Sequence, residues 1–198
     1  MTITRRTAVA GLGAATLAPA LPAFAQRLEE KGYFLGDLPM GDENAPVTVI
    51  EYASLTCPHC ASFHQTNWKP LVENFIEPGR VRFILREIFF DQFGLWATML
   101  ARSGNEKAYH YMLDQLLNRQ REWYQSHVNA YQSTRNPRPI VDSLMKIGRT
   151  AGMSNQHMTE TLQDAEFLER LVKDFQTYSE ADDVRSTPSF MKNGRKVT

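Results

Sequence analysis

The sequence predicts an α/β fold made of a strand–helix–strand unit, a long helical segment and a C-terminal hairpin. Three observations predict it: two short apolar runs flank a segment with helical spacing, helical periodicity then continues over residues 94–179, and an Asn-Gly pair separates two extended runs near the end. The chain has 198 residues, 42% hydrophobic and 11% aromatic, which suits one globular domain with an insertion.

The charge composition is balanced. The sequence contains 22 basic and 22 acidic residues, so its formal net charge is zero. A strongly basic patch would be needed to attract nucleic acid through its phosphates, and no run of that kind is present in the sequence. We therefore expect no nucleic-acid partner and no acidic substrate.

The first 25 residues have the pattern of an export signal. Arg5-Arg6 precedes the acid-free apolar run Ala8–Leu21, and the small-x-small triplet Ala23-Phe24-Ala25 follows. The twin arginines suggest the twin-arginine route, although the residues after them fit its pattern poorly. We expect a signal peptide over residues 1–25, cleavage near Ala25-Gln26, and a mature protein outside the cytoplasm, where disulfides persist.

The first core strand is predicted at Val47–Ala53, where a nearly continuous apolar run is typical of a parallel strand buried on both faces. Glu51 interrupts that run. Two interpretations remain open: a carboxylate that reaches solvent, or a buried acid beneath the cysteines that takes the proton of Cys60. A second strand is predicted at Val81–Ile88, and its Arg86 is expected either to pair with Glu51 or to be solvated.

Both cysteines lie in the motif Cys57-Pro58-His59-Cys60, between the first strand and a helix. A C-x-x-C in this position indicates a thioredoxin-like redox motif. The first thiol lies at the helix N-terminus, where free N–H groups and the helix dipole favour a thiolate. We expect Cys57 to be the exposed thiol with a lowered pKa, His59 to donate to it, and Pro58 to preset the helix start. Cys60 is expected to be buried with a raised pKa.

Three other uses of this cysteine spacing are known in proteins. Haem attachment requires His directly after the second cysteine, and Ala61 stands there. A purely structural disulfide gains little from closing so short a loop. A metal site needs about four ligands, and the spacing supplies only three candidates, Cys57, Cys60 and His64. A copper or zinc carrier that uses these three residues is nevertheless kept as the non-enzymatic alternative.

The remaining elements follow from local signals. Pro70 is expected to kink the helix after the motif, and Pro78-Gly79 to end it. Ser154 and Asp164 are predicted helix N-caps. Near the end, we predict a strand over Val184–Met191, a turn over Lys192–Arg195 and a last strand over Lys196–Thr198. A proline inside that strand is unusual unless it is cis or lies at an edge.

Taken together, these features resemble the DsbA-like thioredoxin-fold oxidoreductases. The residues that carry the resemblance are Glu51 six positions before Cys57, the C-P-H-C motif, the strand Val81–Glu87 ending in Arg-Glu, the helical insertion, and Ser186-Thr187-Pro188. The match covers nearly all of the mature chain, and Pro-His between the cysteines is typical of the oxidising branch.

The resemblance implies a cis bond between Thr187 and Pro188, packed against the disulfide, with the Thr187 backbone pairing to extended substrate. Two departures are visible. Ser186 replaces the usual glycine, and the sequence stops at Thr198, before the further strand and terminal helix of such proteins, so we expect truncation at the C-terminus.

The resemblance also implies a domain organisation and a function. Residues 26–93 and 180–198 are expected to form a thioredoxin-like domain around a helical insertion at 94–179. The expected protein is a periplasmic dithiol oxidase that passes the Cys57–Cys60 disulfide to reduced exported polypeptides through a mixed disulfide, without a cofactor. A membrane quinone-linked, DsbB-like oxidase is the expected electron acceptor. We expect a monomer, since residues 26–47 leave no room for a dimerisation domain. A reductase or isomerase of the same fold is the alternative.

Overall fold

The computed structural model describes residues 23–197, with side chains from residue 27 onward. Its strands are β1 (Val47–Ala53), β2 (Val81–Glu87), β3 (Ser189–Lys192) and β4 (Arg195–Val197). Its α-helices are α1 (Ala23–Glu30), α2 (Pro58–Phe63), α3 (Lys69–Leu71), α4 (Gln92–Ala101), α5 (Glu106–Asn118), α6 (Ser126–Thr134), α7 (Arg138–Thr150), α8 (Asn155–Leu162) and α9 (Ala165–Ala181). Three π-helical segments cover His64–Trp68, Val72–Ile76 and Arg121–Gln125.

The four strands form one mixed sheet in the order β2-β1-β3-β4. β1 and β2 are parallel, in a register that places Val47 opposite Val81 and Ala53 opposite Glu87. β3 runs antiparallel to both β1 and β4. Both apolar runs are therefore strands, as predicted, and the helix that connects them carries the cysteine motif.

Strand alternation directs the side chains of β1 to two different layers. Val49 and Ala53 belong to the main core, which the sheet shares with helices between β2 and β3. Ile50 and Tyr52 point to the other face, where aromatic residues of α9 cover them. Because Glu51 is in phase with Val49 and Ala53, it lies in the same layer as the cysteines.

The helix after the motif departs from regular α geometry. α2 continues into the π-helical segment His64–Trp68, then into α3, which contains Pro70, and then into the π-helical segment Val72–Ile76. A proline lacks the N–H of a regular helix and its ring crowds the carbonyl four residues earlier, so wider turns on either side accommodate it. The disturbance expected at Pro70 therefore takes the form of π turns.

The C-terminal hairpin differs in its bounds from the prediction. β3 begins only at Ser189, because Pro188 has no N–H to contribute to a strand ladder. The turn consists of Asn193 and Gly194, with φ angles of 48° and 74°. Two successive positive φ angles are those of a two-residue hairpin turn, so the Asn-Gly signal is confirmed.

The predicted helix caps are confirmed. The Ser154 side chain accepts a hydrogen bond from the N–H of His157, and that of Asp164 accepts one from the N–H of Phe167. Across the described residues, no helix combines the length and apolar character needed to span a bilayer. The expected signal peptide falls mostly outside the described residues, and cleavage near Ala25-Gln26 stays a prediction.

Candidate active site

The two cysteines are free thiols in unlike environments. Cys57 is the N-cap of α2 and is 9% exposed, whereas Cys60 is 0% exposed. Cys57 is more exposed than Cys60, as expected, but the expectation that Cys57 is openly exposed is wrong. Residues before Pro188 cover it: the Cys57 thiol donates to the backbone carbonyl oxygen of Thr187, at 3.5 Å.

The surroundings separate the acidities of the two thiols. Burial raises the pKa of Cys57, but its contact with Thr187 and the backbone N–H groups of Cys60 and His59 outweigh burial, so the pKa is lowered overall. Burial raises the pKa of Cys60 to about 12, and the negative charges of Cys57 and Glu51 contribute to the increase. Cys57 is therefore the thiol that ionises first and the better leaving group.

The two residues between the cysteines act through the backbone. Pro58 occupies the first turn of α2, as expected. His59 is exposed, and it is its backbone N–H that stabilises the Cys57 sulfur. The sequence analysis predicted that His59 donates to Cys57 without naming the donor group. In the structure this donor is the backbone N–H of His59.

The loop before β3 brings Thr187 and Pro188, the predicted substrate-binding residues, to the site. The Thr187–Pro188 peptide bond is cis, which is the conformation that the resemblance implies. The Ser189 hydroxyl donates to the carbonyl of Ser186 at 2.6 Å and closes the loop. The carbonyl of Thr187 thereby lies beside the thiol that a substrate would meet.

Glu51 is fully buried, so its buried interpretation is confirmed and the solvent-reaching one is wrong. Its Oε2 lies 2.9 Å from Nε2 of His64, which is 4% exposed. Cys60 and His64 are four residues apart, and this spacing places both on the same face of the helix, toward Glu51. Sequence reasoning treated His64 only as a possible metal ligand; its spacing from Cys60 was the signal that it belonged with Glu51.

The expected pair between Arg86 and Glu51 does not form. Arg86 is opposite Tyr52 in the sheet register, so it lies on the face away from Glu51. There it donates to both carboxylate oxygens of Asp37, at 2.8 and 2.9 Å, and to the Tyr52 hydroxyl at 2.7 Å. The Tyr52 hydroxyl in turn donates to Asp182.

The proposed metal ligands are not arranged as a metal site. Within residues 23–197, no three His, Cys, Asp or Glu side chains come together in a group that could hold a metal ion. His64 contacts Glu51 through Nε2 rather than completing a set with the two sulfur atoms. In this structure Cys57, Cys60 and His64 are therefore not brought together as a set of metal ligands.

Two residues outside the motif support it and were missed by sequence reasoning: Gln120 and Asp91. The buried Gln120 donates from Nε2 to the carbonyls of Leu55 and Cys57, at 2.8 and 3.0 Å. Asp91 caps α4 with one oxygen and with the other accepts from the hydroxyl of Thr56, at 2.8 Å. An Asp before an apolar helix is a recognisable cap signal, whereas nothing in the local sequence distinguishes Gln120.

The C-x-x-C motif opens the helix that follows a central strand, and the loop with the cis-proline lies against its first sulfur. This arrangement defines a thioredoxin-fold protein with a redox-type cysteine pair. A family model described as thioredoxin matches residues 35–198, and the chain belongs to this thioredoxin family.

Similar proteins agree with this assignment. A Rickettsia bellii protein named as a protein-disulfide oxidoreductase is 29% identical over 159 residues, which cover 80% of this chain and 57% of the relative. The chain thus spans little more than half the length of that relative. Disulfide bond formation protein D of Bacillus subtilis is 22% identical over 80% of this chain and 68% of its own length.

Solved structures share the fold. Alpha-DsbA1 of Wolbachia pipientis has a TM-score of 0.69 and 25% identity, covering 80% of this chain and 75% of that one. A protein-disulfide isomerase of Novosphingobium aromaticivorans has a TM-score of 0.71 and 18% identity, covering 83% and 91%. The thioredoxin-like fold with a DsbA-type helical insertion is therefore confirmed.

Proposed function

We propose that this protein is a thiol:disulfide oxidoreductase that acts as a dithiol oxidase on exported polypeptides in the periplasm. The observation that carries the proposal is the separation of the two thiols: Cys57 has a lowered pKa, and Cys60 is shielded with its pKa raised to about 12. Stabilising the Cys57 thiolate favours the dithiol form, and a site that favours the dithiol form gives its disulfide away readily.

The reaction runs through a mixed disulfide. A substrate thiolate attacks Cys57 of the oxidised pair, the Cys57–Cys60 bond breaks, and Cys60 leaves and takes up a proton. The second substrate thiol, as its thiolate, then attacks the sulfur bonded to Cys57, releasing the Cys57 thiolate and the oxidised substrate. The substrate loses two electrons and the cysteine pair gains them.

The surroundings of Cys57 support a polypeptide as the substrate. The carbonyl of Thr187 lies at the sulfur and offers a backbone acceptor to an extended chain. The Rickettsia bellii relative is named as a protein-disulfide oxidoreductase, which favours a protein thiol over a small one as the substrate. Periplasmic location, a quinone-linked DsbB-like acceptor and a monomeric state complete the proposal, and they rest on the leader sequence and the family resemblance.

The test is oxidative refolding of a reduced, unfolded protein that contains several disulfides. The oxidised enzyme is expected to introduce disulfides stoichiometrically, with one lost per substrate disulfide formed, and Cys57→Ser to abolish the reaction. Cys60→Ser is expected to accumulate the mixed disulfide with substrate when its Cys57 is first converted to a mixed disulfide by exchange with a small disulfide, which releases one small thiol. Rescue of a scrambled substrate without net oxidation would instead identify an isomerase and would contradict the proposal.

A further inference from the structure

The contact between Glu51 and His64 leaves two buried polar atoms without partners. Glu51 is 0% exposed and His64 4% exposed, and they are joined only through Oε2 and Nε2, at 2.9 Å. Among the described residues, neither Glu51 Oε1 nor His64 Nδ1 has a hydrogen-bond partner. Buried polar atoms are nearly always paired, so two unpaired atoms within one buried pair call for an explanation.

These two atoms are proton-accepting positions. When Nε2 of a neutral His64 carries its proton and donates to the Glu51 carboxylate, both Oε1 and Nδ1 present free lone pairs. The pair then carries one negative charge, and one added proton makes it neutral overall.

The pair is placed to serve Cys60. The Glu51 carboxylate is near enough to Cys60 for its charge to raise the pKa of that thiol. His64 begins a π-helical segment one turn after Cys60, and its ring stacks on Trp68 with centroids 4.9 Å apart.

His64 also borders a small cavity. The cavity measures about 20 Å³, which is enough for one water molecule. Its wall includes polar side chains of α5 as well as apolar ones of β2 and of the segment before β1. The titratable groups around the pair are Cys60 on α2, which lies within reach of the Glu51 charge, and three side chains of α5 that line the same cavity as His64: Tyr109, His110 and Asp114.

We propose that His64 is a positioning residue for the exchange reaction: it fixes the Glu51 carboxylate beneath Cys60 and shares with it the proton that Cys60 gives up when the disulfide closes. This inference rests on the thiol–disulfide exchange proposed above. In closure, the sulfur of Cys60 attacks Cys57 within a mixed disulfide. The Cys57–Cys60 bond forms, the bond to the partner sulfur breaks, and the partner leaves as its thiolate. The proton of Cys60 passes to the Glu51–His64 pair.

The test uses the reduced full-length protein and an aromatic disulfide whose released thiolate is coloured. Attack by Cys57 releases a first thiolate, and closure by Cys60 releases a second. The first phase therefore reports the reactivity of Cys57, on which the proposed function depends, and the second reports the proton transfer. A wild-type first phase no faster than that of an ordinary thiol contradicts the proposed function itself, whatever the second phase shows.

His64→Gln is the informative variant, because a glutamine amide can still donate to Glu51 but cannot take up a proton. We expect its first phase to stay within about twofold of wild type, and closure at neutral pH to slow at least about tenfold, as for loss of a general base. His127→Gln, a histidine of α6 that contacts Ser143, is the matched control and is expected to leave both phases unchanged. Unchanged closure in His64→Gln overturns the proposal.

Two further measurements keep the proposal testable if His64→Gln folds poorly. Glu51→Gln is expected to slow closure as much as His64→Gln does, and the double variant is expected to be no slower than either single variant. Additive losses in the double variant would show two independent effects and would overturn the proposal. In the wild type, closure without an internal base would rise about tenfold per pH unit until Cys60 ionises. We expect the wild-type rate of closure to rise less steeply than that, and an unbroken tenfold rise per pH unit contradicts the shared proton.

Discussion

The side-chain amide of Gln120 donates to the backbone carbonyl of Cys57 at 3.0 Å. This hydrogen bond connects the helical segment to the first residue of the C-x-x-C motif. The same nitrogen reaches the carbonyl of Leu55, and Gln120 is fully buried. Gln125 holds the amide in place by donating to its oxygen at 2.6 Å. The helical segment therefore contacts the active-site loop directly through Gln120.

Gln120→Leu is expected to destabilise the protein by about 1–3 kcal/mol for each carbonyl left unpaired, since a buried acceptor without a partner carries its desolvation penalty. Urea unfolding of the reduced protein measures the change. The exposed Gln132→Leu is the matched control and should fall within about 0.5 kcal/mol of wild type. Equal stability of the two variants would show that the two hydrogen bonds contribute nothing.

A pair of substitutions at His59 separates its backbone from its side chain. His59→Pro removes the N–H that bonds to the Cys57 sulfur, whereas His59→Ala removes only the exposed imidazole. A proline is tolerated in the first helical turn, so the fold should persist. We expect the pKa of Cys57, measured from alkylation rate against pH, to rise more in His59→Pro than in His59→Ala. A larger rise in His59→Ala would assign the stabilisation to the imidazole.

The stability of the reduced protein should depend on pH through Cys57. Its folded pKa is lowered, while the pKa of the unfolded thiol is about 8.5. Between these two values the unfolded chain binds more protons, so stability rises with pH; below the folded pKa this contribution is lost. The free energy of unfolding of wild type minus that of Cys57→Ser should thus increase as pH rises toward about 8.5. A difference that stays constant would mean an unshifted thiol.

Cys60 contributes with the opposite sign. Its folded pKa is about 12, so its contribution to the stability of the reduced protein is present below about pH 8.5 and is lost as pH rises from there toward 12. The free energy of unfolding of wild type minus that of Cys60→Ser should decrease above about pH 8.5. An increase in that range would contradict the burial of this thiol.

Arg86 is expected to stabilise the face of the sheet away from the active site. Arg86→Met removes the two bonds to Asp37, which should cost about 1.5–3 kcal/mol because the acceptor is charged. Arg82 lies on the same strand and is half-buried, so Arg82→Met is the matched control and should cost less. The alkylation rate of Cys57 should be the same in Arg86→Met as in the wild type. A changed rate would indicate that Arg86 does influence the active site, as a pairing with Glu51 would imply.

Sequence reasoning was most successful where local chemistry decides structure. The continuous apolar run around Ile50, the Ser154 and Asp164 caps and the Asn193-Gly194 turn all act within a few residues. It failed where sheet register decides: Arg86 and Glu51 lie on neighbouring strands, but a shift of one residue places them on opposite faces.

The supporting contacts of the site were beyond local sequence signals. Gln120 reaches Cys57 across 63 positions, and the partner of Glu51 is determined by how α2 packs on the sheet. The covering of Cys57 by the Thr187 loop likewise depends on tertiary structure. Such contacts follow from packing of distant segments, for which the sequence carries no periodic pattern.

The reduction potential of the Cys57–Cys60 couple, measured by equilibration with glutathione, tests the central claim most directly. A stabilised Cys57 thiolate predicts an oxidising couple, less negative than about −200 mV. A value near about −270 mV, as for a reducing thioredoxin, would contradict a dithiol oxidase.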